Sequence, residues 1–265
     1  MFLDQTEHHE AVAEHGAGGV DFIMHHILAH KVIKLPTIAG VDLSITSHVL
    51  MMFIASILIT VAFIFAFRKK SIVPTGFANA LESIVDYIWK EAILSNIGPE
   101  GKAYAPYLLT AFFFILVCNF IGLVPFGATA TGNISTTAAL ALMTLFVGQF
   151  AGIRKFGFIK FYKHLIPPNL PVFIIPIMIP VEIVSLFARH VALAIRLFAN
   201  MIAGHITVLA ILSLIYIFKN WLIVPFPLLL ALFVSLLEVL ISLIQAYVFT
   251  TLSAVFIGLS ISEDH

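Results

Sequence analysis

The run VFIIPIMIPVEIVSLFARHVALAIRLFANMIAGHITVLAILSLIYIF, residues 172–218, decides how this chain is built. Pro176 and Pro180 stand near its start, and no charged loop divides it. As one helix at ~1.5 Å per residue it would reach about 70 Å, against a hydrocarbon core of about 30 Å. A second apolar run, 221–261, would reach about 60 Å on the same rise. Each is either two spans with an unmarked turn or one strongly tilted helix. We expect two long, tilted helices in a hairpin whose tip lies near Asn220.

The rest of the 265-residue chain has the composition that such runs require. Hydrophobic residues make up 61% of it, and charged residues 11%, against about a quarter in soluble domains. So few charges cannot cover a water-soluble surface. A soluble enzyme and a disordered chain are thereby excluded. With 14 Lys+Arg against 14 Asp+Glu there is no basic excess for nucleic acid. The single cysteine, Cys118, forms no intrachain disulfide. Asp4, Glu7, Glu10 and Glu14 near the start fit neither a signal nor a transit peptide. The fold class expected is an all-α polytopic membrane protein in contact with lipid.

Working outward, residues 1–45 form a polar, His-rich segment, and 46–265 a single membrane domain. Residues 46–67 are a charge-free span closed by Arg68, Lys69 and Lys70. Over 77–96, Phe77, Leu81, Ile84, Ile88 and Ala92 recur at helical spacing, with Glu82, Asp86, Lys90 and Glu91 off that stripe. That pattern predicts an amphipathic helix at the membrane surface. A span at 105–126 follows, then a small polar loop from Gly127 to Thr137, then a short span at 138–152. With 172–218 and 221–261 this gives about five membrane helices. Basic residues cluster at Arg68–Lys70, Lys90, Lys102 and the 153–170 loop, which sets that side inside and the N-terminus outside.

Six ionisable residues lie within the long runs: Glu182, Arg189, His190, Arg196, His205 and Glu238. A charge at mid-bilayer costs at least about 2.5 kcal/mol on insertion scales, and it usually marks a transport path. Glu182, Arg189 and Arg196 are seven residues apart, hence within about 40° on a helix, and Asn200 extends their stripe. On the last helix Ser235, Glu238, Ser242 and Gln245 form one polar edge. Folded about Asn220, the hairpin brings Arg196 to face Gln245, and His205 beside Glu238. A guanidinium stays protonated and cannot relay a proton by losing one. It would block a continuous proton wire and keep a neighbouring carboxylate ionised. Arg189 reads equally as the ion-pair partner of Glu182, and His190, off the stripe, as a packing residue.

No metal or cofactor site emerges. His26 and His30 are spaced i, i+4, but no third ligand stands at diagnostic spacing. Haem ligation by His190 or His205 lacks a facing histidine. There is no phosphate-binding GxxxxGK[ST] run. A proton-coupled secondary transporter and a membrane subunit of a respiratory proton pump are the alternative classes. The first commonly shows two homologous halves, and no internal repeat is visible in this chain.

The stretch IRLFANMIAGH, residues 195–205, resembles the subunit a family of F-type ATP synthases. The likeness extends to DFIMHHIL at 21–28, to the segment from Asn119 to Pro125, to Pro180-Val-Glu182, and to Glu238 through Gln245. It implies a non-catalytic, proton-translocating stator subunit of the Fo sector, with Arg196 as the essential arginine. His205, Glu238, Asn200, Ser242 and Gln245 would then line the outer half-channel, and Glu182, Arg189 and His190 the inner one. The implied partners are a rotor c-ring, the subunit b peripheral stalk and the whole ATP synthase, with H+ as the transported ion. The two long helices would lie strongly tilted against the ring. The order His205 then Glu238 looks like the alphaproteobacterial and mitochondrial arrangement. A bacterial cell inner membrane is the expected location, with the mitochondrial inner membrane as the alternative.

Overall fold

The computed structural model describes residues 31–33, 45–68, 75–124, 129–158, 160–161, 175–218 and 224–262. The expectations for nearly all of the 1–45 segment, for most of the basic loop and for the tip at Asn220 fall outside them. Strand β1 (Lys31–Ile33) pairs antiparallel with β2 (Ile45–Thr46), which leads directly into the first helix. Everything else of any length is helical. Five helices are long and apolar enough to cross a membrane.

Helix α1 (Ser47–Ala66) buries only His48 and Ala55, so most of its apolar surface is left for lipid. Helix α2 (Phe77–Tyr87) continues through a π-helical stretch, Ile88–Leu94, into a last α turn, Ser95–Ile97. A π turn takes in an extra residue and rotates the faces that follow it. The apolar stripe read from the sequence is not buried along its whole length, and its exposed members precede the π stretch. Leu81, Ile88 and Ala92 are buried and are joined by Ile93, whereas Phe77 and Ile84 are exposed. The charged side remains outside, with Asp86 and Lys90 paired at 2.7 Å.

Helix α3 (Ala105–Leu123) tolerates Pro106 in its first turn, where no amide partner is lost. Helix α4 runs Ile134–Phe156, 23 residues, so it is a full-length span and not the short one expected at 138–152. Hydropathy missed its first turn because Ser135, Thr136 and Thr137 read as loop. The Asn133 side chain accepts a hydrogen bond from the Ser135 amide at 2.9 Å and caps that turn. Thr137 returns its hydroxyl to the Ile134 carbonyl. Arg154 and Lys155 suit the negative end of α4, and Gly157 terminates it at φ 80°. Lys155 also pairs with Glu100 at 2.9 Å, tying α4 to the 3-10 turn Gly98–Ala103.

The two long runs are single helices: α5 (Ile175–Phe218, 44 residues, with Pro180 inside it) and α6 (Pro225–Ile261, 37 residues). Pro225 and Pro227 sit in the first turn of α6, where proline is already in helical geometry. At ~1.5 Å per residue α5 is about 66 Å long, so it crosses a core of about 30 Å only by tilting strongly or by projecting from it. One apolar core joins the surface helix (Leu81, Ile88, Ala92, Ile93) to α3 (Leu108, Phe112), α5 (Leu193, Leu197) and α6 (Phe249, Ile257). In lipid such packing depends on close approach and on polar contacts between helices. The Tyr107 hydroxyl meets Thr144 Oγ1 at 2.9 Å, and Thr144 meets Ser253 Oγ at 3.3 Å. At Gly258 the backbone of α6 lies against the Asn96 carbonyl with no room for a side chain.

Candidate functional site

Helices α5 and α6 pack antiparallel, and two contacts fix their register. His205 Nδ1 lies 3.4 Å from Glu238 Oε1, and Ser242 Oγ lies 3.9 Å from Met201 Sδ. Continuing that register puts Leu197 opposite Ala246 and Leu193 opposite Thr250, and all four are buried. The sequence count thus brings His205 and Glu238 together. It fails for Arg196 and Gln245. Gln245 is 6% exposed, with an unpartnered Nε2 among the described residues, while Arg196 lies on the exposed side of α5. The reason is rotation: His190, Leu193, Ala194, Leu197 and Met201 form the buried stripe of α5, and Arg196 sits just beside it. Among the described residues no carboxylate pairs with Arg196. Asn200, half-buried, follows one turn later.

The His205–Glu238 pair is set in a polar pocket. Glu238 is 7% exposed. Its carboxyl group lies against the bare backbone of Gly204, where a Cβ would stand 2.5 Å from Oε1. The second ring nitrogen of His205, Nε2, is 3.3 Å from Thr129 Oγ1. Both contacts are at the long end for hydrogen bonds, and such contacts commonly tighten when a proton is in transit. Below them Asn119, fully buried, donates to the Ser242 carbonyl at 3.4 Å and accepts from Thr131 Oγ1 at 2.8 Å. The segment from Thr129 to Asn133 is thus held by α3 on one side and α5 on the other. Non-helical backbone is stable within a membrane protein only where protein or a watery cavity satisfies it.

A second polar group lies farther down α5. Arg189 Nη2 donates to Glu182 Oε1 at 3.0 Å, and both Nη2 and Nε donate to Ser185 Oγ at 3.0 and 3.2 Å. Glu182 and Arg189 are part-exposed, so the pair is open to water or to a neighbour. His190 is apart from this pair. It donates from Nδ1 to the Leu186 carbonyl at 2.9 Å and packs on Phe256, ring to ring at 4.9 Å. Its second ring nitrogen, Nε2, is buried with no partner among the described residues.

Sequence reasoning gave no role to Asn119, Thr129, Thr131 or His48. A lone Asn in the apolar run ILVCNFIGL was a usable signal for the first. The two threonines look like solvent-loop residues in GATATGN, and only tertiary contact shows them turned inward. Among the described residues no group of three or more potential metal ligands is gathered.

Comparison with known proteins adds independent findings. The model of the family described as ATP synthase A chain matches residues 49–258. A protein of Chloroherpeton thalassium named ATP synthase subunit a is 45% identical over 266 residues, covering 95% of this chain and 80% of that one. The protein of that name from Pelodictyon phaeoclathratiforme is 41% identical, covering 96% and 80%. That of Anaeromyxobacter dehalogenans is 39% identical, covering 98% and 78%. These relatives do not support the narrower alphaproteobacterial or mitochondrial likeness drawn from the His205 and Glu238 order.

Proposed function

This chain belongs to the ATP synthase A chain family, and on that premise we propose how it conducts protons. It is the proton-channel stator subunit of the Fo sector, non-catalytic by itself, a part of the ATP synthase complex and a multi-pass protein of a bacterial inner membrane. That membership sets aside the carrier and pump alternatives. The chain is one membrane domain, 46–265, preceded by an outer segment, 1–45.

One observation carries the assignment of roles: Arg196 is exposed on α5 with no carboxylate of its own chain beside it, among the described residues. A cation on an apolar helix needs a counter-charge. Its partner is therefore a carboxylate of another protein, the rotor c-ring passing along α5 and α6. Entry is by His205 and Glu238. A proton reaching His205 from the outer side moves from Nδ1 to the Glu238 carboxylate, and then to the ring carboxylate. Neutralised, that carboxyl group can leave the stator and turn through lipid. On return it releases its proton by the exit near Glu182 and Arg189. Arg196 keeps the returning carboxylate ionised and separates the two paths, since a guanidinium offers no proton at any working pH. Asn200, Ser242 and Gln245 supply polar lining for entry. His190 stands at the exit side only as support, held by its own helix and Phe256. The subunit b stalk keeps the stator from turning with the ring.

Arg196→Ala in the assembled synthase tests this. We expect proton-driven ATP synthesis to be lost while the complex still assembles. Normal synthesis by that variant would overturn the role given to Arg196.

A further inference from the structure

Thr129 precedes the 3-10 turn Ala130–Gly132, which lies between α3 and α4, and it is fixed more closely than a loop residue requires. The Gly132 amide donates to its carbonyl at 3.0 Å. The next residue, Ala130, is buried and packs with Ala55 and Cys118. Thr131, fully buried, is tied through its hydroxyl to Asn119 Oδ1 at 2.8 Å. The turn is therefore held by α1, by α3 and by its own backbone.

The side chain of Thr129 is seated as firmly. A Cβ at Gly122 would stand 2.9 Å from its Cγ2 and 3.1 Å from its Oγ1, and one at Gly132 would stand 3.2 Å from its Cβ and 3.4 Å from its Cγ2. The methyl group thus lies against two bare backbones. On a β-branched residue, fixing the methyl group fixes the hydroxyl. Among the described residues that hydroxyl has one hydrogen-bond partner, His205 Nε2 at 3.3 Å. The other ring nitrogen, Nδ1, faces Glu238 Oε1 at 3.4 Å. A half-turn of the imidazole would put carbon where each nitrogen stands and lose both contacts. A hydroxyl donates to a bare imidazole nitrogen and accepts from a protonated one. Thr129 can therefore hold Nε2 whether or not it carries a proton, which neither a carbonyl nor an ammonium group could do.

We propose that Thr129 is a positioning residue for proton entry. Its seated hydroxyl holds Nε2 of His205 through both protonation states of the ring, and so keeps Nδ1 aimed at the Glu238 carboxyl group. The proposal rests on His205 and Glu238 being the entry pair.

The test is potential-driven proton uptake by vesicles containing the complete Fo sector, compared at equal content of assembled complex. Thr129→Val keeps the shape and the methyl group and removes only the hydroxyl. It is expected to conduct about tenfold more slowly, the scale of one lost hydrogen bond. Thr129→Ser keeps the hydroxyl and loses the methyl group, and it should keep most of the rate. A residue that served packing alone would give the reverse order, a normal valine variant and an impaired serine one. Wild-type conduction by the valine variant, or a serine variant as slow as the valine one, overturns the proposal. Should the valine variant fail to accumulate, Thr129→Ala is set against Thr129→Ser, since these two differ only in the hydroxyl. Equal rates in that pair overturn the proposal as well. His205→Ala is measured alongside. If it conducts normally, the entry pair itself is wrong; if it is impaired while Thr129→Val is normal, only the Thr129 proposal falls.

Discussion

Gly204→Ala isolates the geometry of the entry pair from the stability of the helices that carry it. The new Cβ would stand 2.5 Å from Glu238 Oε1, 2.8 Å from Cδ and 3.1 Å from Cγ, where ordinary contacts begin at 3.4 Å. Something must retreat by about 0.9 Å, and the mobile part is the carboxyl end of Glu238, not a backbone. Its gap to His205 Nδ1, 3.4 Å at rest, would open to roughly 4 Å, beyond hydrogen-bond range. Misplacing a reacting group by that distance costs about 10- to 100-fold in rate. The helix itself gains about 0.8–1.0 kcal/mol from alanine over glycine. We therefore expect normal amounts of assembled synthase, with outward-to-inward proton conduction in Fo vesicles reduced by one to two orders of magnitude. Pairing it with Glu238→Asp, which shortens the acid by one methylene, should return part of the rate. Wild-type conduction by Gly204→Ala in a fully assembled complex would refute the reasoning.

Gly258→Ala should behave in the opposite way, because the added carbon meets the Asn96 backbone carbonyl. Backbone yields less readily than a side chain, so a loss of ~1–3 kcal/mol is expected, read as a lower melting temperature of the solubilised complex. Cysteines at 201 and 242, the positions in contact across the hairpin, should oxidise to a disulfide faster than cysteines at 196 and 245. Equal rates would count against the register. Tyr107→Phe removes a 2.9 Å hydrogen bond to Thr144, so it should cost ~1 kcal/mol of stability and leave proton conduction unchanged.

The long helices were legible because hydropathy is nearly continuous from 172 to 218 and from 221 to 261. The His205–Glu238 contact was also legible, since counting from one turn suffices when two uninterrupted helices run side by side. Counting cannot give rotation. Arg196 is one residue from fully buried Leu197, and on a helix one residue is about 100°. That step separates facing Gln245 from facing outward. The start of α4 was hidden for another reason. Ser, Thr and Asn carry the same polarity in a solvent loop as in a capped first turn, and only the Asn133–Ser135 hydrogen bond distinguishes them. The π-helical stretch at Ile88–Leu94 left no mark on a 3.6-residue period, which simply shifted in phase. Thr129 had no periodicity to reveal it. Its place beside His205 is set by two glycines and by contacts distant in sequence.

The guanidinium of Arg196, unpaired among the described residues, also bears on how the complex is made. Inserted alone, this chain carries a cation into the bilayer at a cost of ~2.5–3.5 kcal/mol with no carboxylate paired to it among the described residues. On the role proposed for Arg196, the missing charge would arrive with another protein. The free subunit would then be an unfinished object, open to proteolysis until it is joined. If Arg196 keeps the two proton paths apart as proposed, the same residue would also act as a checkpoint on biogenesis. A stator that has not met the proposed rotor would expose its own incompleteness, which would favour adding this subunit after the ring is closed and limit stray stators that leak the proton gradient.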